Sequence, residues 1–190
     1  MDIWMSKCII LAVVAASTVF AQECRHPPPV SNYTNERYQG FWYEVGRIQT
    51  PGGGYYQRFC LCDTSVYTPD DLLYSGGLVD YSCRNGTTDG PLTTIQATLT
   101  PGEVPGNFDQ RFFAFQKPAD YNVIWLDDET AMEYDCTSTL GVVNYCVHLM
   151  SRTQSIPQEK LDLMIAFAES LDLNPEEIEY KPTVQEGCWN

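Results

Sequence analysis

From Gly40 to Arg152 the chain repeats one pattern: a short β-prone run, then a cluster of turn-forming residues. The runs cover 41–48, 59–67, 77–84, 92–99, 108–115, 121–126, 131–136 and 142–150. Pro69-Asp70-Asp71, Asn85-Gly86, Pro101-Gly102, Pro105-Gly106, Lys117-Pro118 and Asp127-Asp128-Glu129 punctuate them, and such residues favour turns. No helical pattern interrupts the series, so successive strands connect as hairpins. Sequential hairpins predict an all-β fold, an eight-stranded up-and-down antiparallel barrel. Closure removes the exposed edges that an open sheet would carry.

One α-helix follows the last strand and is expected to pack on the outside of the barrel. Ser155 is the expected cap, Gln158 completes a capping box and Pro157 falls in the first turn. Leu161, Met164, Ile165, Ala168 and Leu171 recur at helical spacing. The polar face lacks the basic residues of a membrane-binding helix, so the stripe faces the barrel wall.

Residues 1–21 read as a secretory signal peptide. Lys7 precedes the apolar run 8–16, which is too short to span a bilayer, and Val19 and Ala21 suit cleavage before Gln22. Residues 22–190 then form one domain, secreted and extracellular. The formal charge of −14 opposes nucleic acid and anionic lipid, so neither is expected as a partner, and no stable membrane insertion is expected. The oligomeric state is not legible. Cys24, Cys60, Cys62, Cys83, Cys136, Cys146 and Cys188 follow the signal segment. Their odd number leaves at least one outside any intramolecular bridge. Asn32-Tyr33-Thr34 and Asn85-Gly86-Thr87 are N-glycosylation sequons.

Asn35-Glu36-Arg37-Tyr38-Gln39-Gly40-Phe41-Trp42 opens the first strand with a Gly-x-Trp motif. Tyr121-Asn122-Val123-Ile124-Trp125-Leu126-Asp127 ends the sixth strand in an acidic turn, and Arg152 follows the last. In this order the three segments resemble the signatures of the lipocalin family, closest to its apolipoprotein D, insect bilin-binding and outer-membrane group. The second segment departs from the usual Thr-Asp-Tyr, reading Leu126-Asp127-Asp128. The resemblance implies architectural roles for Gly40, Trp42, Asp127 and Arg152, the tryptophan closing one barrel end with the arginine stacked across it. It also implies bridges Cys24–Cys136 and Cys62–Cys188, with the pairing of Cys60, Cys83 and Cys146 left open.

Alternate residues of a barrel strand face inward. Parity places Ser65 and Tyr67, Val79 and Tyr81, Tyr121, Val123 and Trp125, and Cys146 and His148 on inward faces, and the resemblance adds Glu44 above Trp42. Such a lining, aromatic and aliphatic with a few polar groups, suits a small-molecule site, with Tyr67 and His148 as polar handles. The alternative is that the aromatics simply fill a closed core. Gly52-Gly53-Gly54 is expected to form a flexible loop at the barrel mouth, where it could act as a lid. His26, before Pro27-Pro28-Pro29, is expected to be inert. No nucleophile-elbow, zinc-protease, phosphate-loop or EF-hand motif is present, and no metal site is expected.

The function expected is therefore extracellular binding or transport of a small hydrophobic ligand: a retinoid, carotenoid, bilin, steroid or fatty acid. No cofactor is required, although a bilin or carotenoid could be a bound chromophore. Two alternatives stand beside it: an enzyme acting on a lipid through a free cysteine thiol, and a scavenger of amines or inflammatory lipids.

Overall fold

A computed structural model describes residues 23–52, 57–70 and 76–189. The signal segment and most of the glycine loop lie outside the described residues. The elements are α1 (Asn35–Tyr38), β1 (Gly40–Gln49), β2 (Cys60–Asp70), β3 (Gly76–Asn85), β4 (Leu92–Pro101), β5 (Asn107–Arg111), β6 (Ala119–Leu126), β7 (Thr130–Thr139), β8 (Val142–Ser151), α2 (Gln158–Ser170) and β9 (Lys181–Pro182). Strands β1 to β8 pair antiparallel in sequence order, and β8 and β2 both pair with β1. The barrel is therefore closed.

The apolar residues divide between two cores. The inner one gathers Trp42, Tyr67, Val79, Leu99, Phe108, Tyr121, Val123 and Met150 at the end where β1 begins. The outer one lies between the wall and α2, where Val45, Ile48, Met132, Tyr134, Val147 and Leu149 meet Met164, Ala168 and Leu173.

Local chemistry adjusts several expected boundaries. The fifth strand stops at Arg111, because the Gln116 side chain caps the Phe112 amide at 3.1 Å and the following residues turn. The Pro69-Asp70 turn begins later than expected, since both residues still pair with β3. Ser155 does not cap α2. Pro157 occupies that position without a side-chain hydrogen bond, and the Ser155 carbonyl instead accepts the Thr153 hydroxyl at 2.8 Å.

Two elements were not legible in the sequence. The single turn α1, capped by Thr34, lies under the closed end. The second is β9. After Tyr43, β1 leaves β2, and β9 pairs with its free side at Gly46 and Arg47. Val184 then accepts the Cys62 amide at 2.9 Å, and the buried Gln185 side chain donates to the carbonyls of Glu44 and Asp63. The C-terminal tail is thus a wedge in the seam between the first two strands. Gly46 makes room for it: a Cβ there would lie 2.4 Å or less from three atoms of the Tyr180 side chain.

Cys24 bonds to Cys136, Cys62 to Cys188 and Cys60 to Cys83. Cys146 is the free, buried thiol among the described residues.

Candidate functional site

The closed end is built around Trp42. Its indole N–H donates to the Tyr38 carbonyl at 2.8 Å, and the Arg152 guanidinium lies 3.4 Å from its ring centroid. Arg152 also donates to the carbonyls of Phe41, Arg37 and Gln39, which ties the last strand to the segment leading into the first. Gly40 adopts φ +93° between them, a conformation open to glycine at low cost.

Above this floor the interior becomes polar in layers. The hydroxyls of Tyr38 and Tyr121 share a hydrogen bond at 2.6 Å, and Tyr38 donates to the buried carboxyl of Glu133. Gln110 donates to the Tyr81 hydroxyl at 2.7 Å. Burial, followed by the nearby Glu133 carboxyl, pushes the hydroxyls of Tyr38, Tyr81 and Tyr121 well up. Burial likewise raises Glu133.

The next layer is ionic. His148 Nδ1 contacts Glu44 Oε2 at 2.6 Å and Nε2 contacts Asp135 Oδ2 at 3.1 Å. Arg47 reaches Glu44 at 3.2 Å and Asp63 at 2.7 Å, and Thr183 of the wedge donates to Glu44 Oε1. Burial alone would neutralise this cluster, and its partners reverse that for some members. Burial pulls the imidazole of His148 down, but Cys146, Asp135 and Glu44 outweigh it and raise it well above the usual imidazole value. Burial raises Glu44, yet Arg47 and His148 bring it below the usual carboxylate range. Asp63, buried and close to that charge, is pushed up to about 7 despite Arg47. Two carboxylates sharing one guanidinium divide in this way. Burial pushes the Cys146 thiol up to about 11.

Glu44, Ser65, Tyr81 and His148 border a common void of about 20 Å³ together with Asp63 and Glu133. That is room for about one water. Tyr67, Val79, Tyr121 and Val123 also point inward but belong to the packed floor. Tyr67 is not a polar handle, because its hydroxyl donates to Asn35 of α1 at 3.0 Å. Cys146 sits in the ionic layer beside Asp135 and His148. Larger clefts lie outside the barrel, one beside α1 and one between α2 and the tail.

Trp125 is a correction. The pairing of β6 with β7 slips between Val123 and Trp125, and the extra residue inverts the parity beyond it. Trp125 therefore faces out and meets Phe167 of α2 edge-on, with the Lys160 ammonium 4.9 Å from its ring centroid. Asp127 organises the adjoining turn, accepting from the amides of Glu129 and Thr130 and from the Lys160 ammonium.

Arg47, Asp63, Gln110, Glu133 and Asp135 are not among the expected lining residues, although Asp63 shares the parity of Ser65 and Tyr67 and Gln110 that of Phe108. Arg47 was hidden by a bulge after Glu44, which brings two residues three apart to one face. Glu133 and Asp135 carried a usable signal, since they lie directly opposite His148 and Cys146.

An antiparallel barrel of eight strands, sealed at one end by a tryptophan–arginine stack and braced outside by one helix, defines the structural class. The chain belongs to the lipocalin family: the model of the Lipocalin-like domain matches residues 34–183. It is 25% identical to apolipoprotein D of Macaca fascicularis over 87% of this chain and 84% of that one. Apolipoprotein D of Bos taurus is 27% identical over 72% and 70% of the two chains. Lobster apocrustacyanin A1 has the same fold, with a TM-score of 0.62 at 17% identity over 80% of this chain and 79% of that one.

Proposed function

We propose that the protein is an extracellular carrier that takes one small ligand into the upper half of its barrel. The observation that carries this reading is the change of interior from an apolar aromatic floor to the layer of Glu44, Asp63, Asp135, Arg47 and His148. A ligand with an apolar body and one polar group would meet both. The void of about 20 Å³ favours a compact amphiphile. A long polyene or a tetrapyrrole, the chromophores the resemblance suggests, would have to displace the floor. Burial pushes the Cys146 thiol up to about 11, away from the thiolate a nucleophile needs, which disfavours a thiol enzyme. Secretion with cleavage before Gln22 belongs to the same proposal, and both sequon residues, Asn32 and Asn85, are exposed as glycan acceptors must be.

The test is a tryptophan-quenching titration of the disulfide-intact chain with retinol, biliverdin, a carotenoid, progesterone, a fatty acid and tryptamine, at low and high salt. One-site saturation by an uncharged or fatty ligand that survives salt supports a carrier of hydrophobic ligands. Saturation by no ligand overturns the reading, as does a Glu44→Gln, His148→Ala variant that keeps every affinity. A second reading, amine sequestration, is favoured by one observation: four inward carboxyls face one guanidinium and one imidazole. Tryptamine binding that collapses with salt selects it.

A further inference from the structure

The ionic layer that the carrier reading assigns to a ligand's polar group also holds a donor set, completed by Cys146, which that reading leaves unexplained. Cys146 and His148 are two residues apart on β8, so their side chains leave the strand on the same face. Asp135 lies directly opposite Cys146 on β7, at the separation where cross-strand side chains touch. One ligand atom from each of the three comes within 4.8 Å of the others. Strand geometry thus converges a sulfur, a nitrogen and an oxygen on one point.

We propose that Asp135, Cys146 and His148 form a binding site for one divalent transition-metal ion, with Zn²⁺ the best match. The mixed donors select for zinc or cobalt and against calcium and magnesium, which take oxygen alone. Three protein ligands leave a fourth position for water or an exogenous donor.

A second observation supports the assignment independently of the donors. His148 engages Asp135 through Nε2, and its other nitrogen, Nδ1, is held by Glu44 Oε2 at 2.6 Å. A carboxylate on the far nitrogen is the arrangement that fixes the tautomer and orientation of a metal-ligating histidine. Glu44 is itself fixed by Arg47 and Thr183, so the ring is aimed before any ion arrives. Glu44 is a positioning residue and does not ligate.

The experiment uses the full disulfide-bonded chain, stripped with a chelator and titrated with Co²⁺ and Zn²⁺. Co²⁺ is expected to give a thiolate-to-cobalt charge-transfer band and tetrahedral d–d bands saturating at one ion per chain. Zn²⁺ should bleach both, raise Tm and protect Cys146 from alkylation. Cys146→Ala should lose the charge-transfer band and the Tm shift, and Glu44→Gln should keep the stoichiometry while weakening Zn²⁺ about 10–100-fold. A melting curve of each variant before titration shows that its barrel is intact. If a variant is not folded, protection of Cys146 by Zn²⁺ in the wild-type chain decides the matter. Binding without a thiolate band reports exposed acids and overturns the proposal, as does unchanged alkylation of Cys146 in saturating Zn²⁺. The chain is first extracted free of organic ligand, so neither result turns on the carrier reading.

Discussion

At the residue scale, the closed end shows how few side chains set the barrel's geometry. Trp42 is fully buried and carries a cation–π contact of about 0.5–2 kcal/mol with Arg152. Trp42→Ala leaves a cavity that neighbouring strands cannot fill, a loss of about 3–5 kcal/mol. Thermal unfolding should show Tm falling on the order of 10 °C, and a variant that melts like wild type contradicts the architectural role. Asp127 makes the complementary case in the turn. Burial pushes its carboxyl up, but Lys160 and the amides of Glu129 and Thr130 outweigh burial and leave it far below the usual carboxylate range. A depressed native pKa contributes stability above the unfolded value of about 3.9, and this is lost as pH falls through the native value. Melting curves should therefore show wild type above Asp127→Asn at neutral pH, with the gap narrowing only in strong acid.

At the scale of elements, Trp125 separates what periodicity conveys from what it cannot. Eight strands, their order and the following helix were legible because alternation and turn chemistry are local. The inward faces of β2, β3 and β8 were legible for the same reason. The bulges at Val45 and Ile124 were not: each inserts one residue into a register that depends on the partner strand. The wedge β9 escaped because two residues carry no period. Trp125→Ala should thus leave the interior intact while loosening α2, which loses its edge-on contact with Phe167. Hydrogen exchange should rise across Gln158–Ser170 with the barrel amides still protected, and Trp125 should contribute little to any quenching by an interior ligand.

At the scale of the whole molecule, the barrel is a ring fastened by its own last residues. The seam between β1 and β2 depends on Thr183, Val184 and Gln185, and the Cys62–Cys188 bridge holds them in place. Replacing both cysteines by serine should cost about 2–5 kcal/mol, with exchange increasing first at the amides of position 62 and Thr183, which bond across the seam. A chain whose seam amides stay protected would show that the wedge holds without its tether. The same feature sets a schedule for biosynthesis. A nascent chain emerges from its N-terminus, so Cys62 is exposed 126 residues before its partner exists. Cys60 and Cys83 are only 23 residues apart, close enough to bond while synthesis continues, which removes Cys60 as a rival for the last thiol. The bridge that tethers the wedge therefore closes after the local one, and the order of oxidation is written into the spacing of the cysteines.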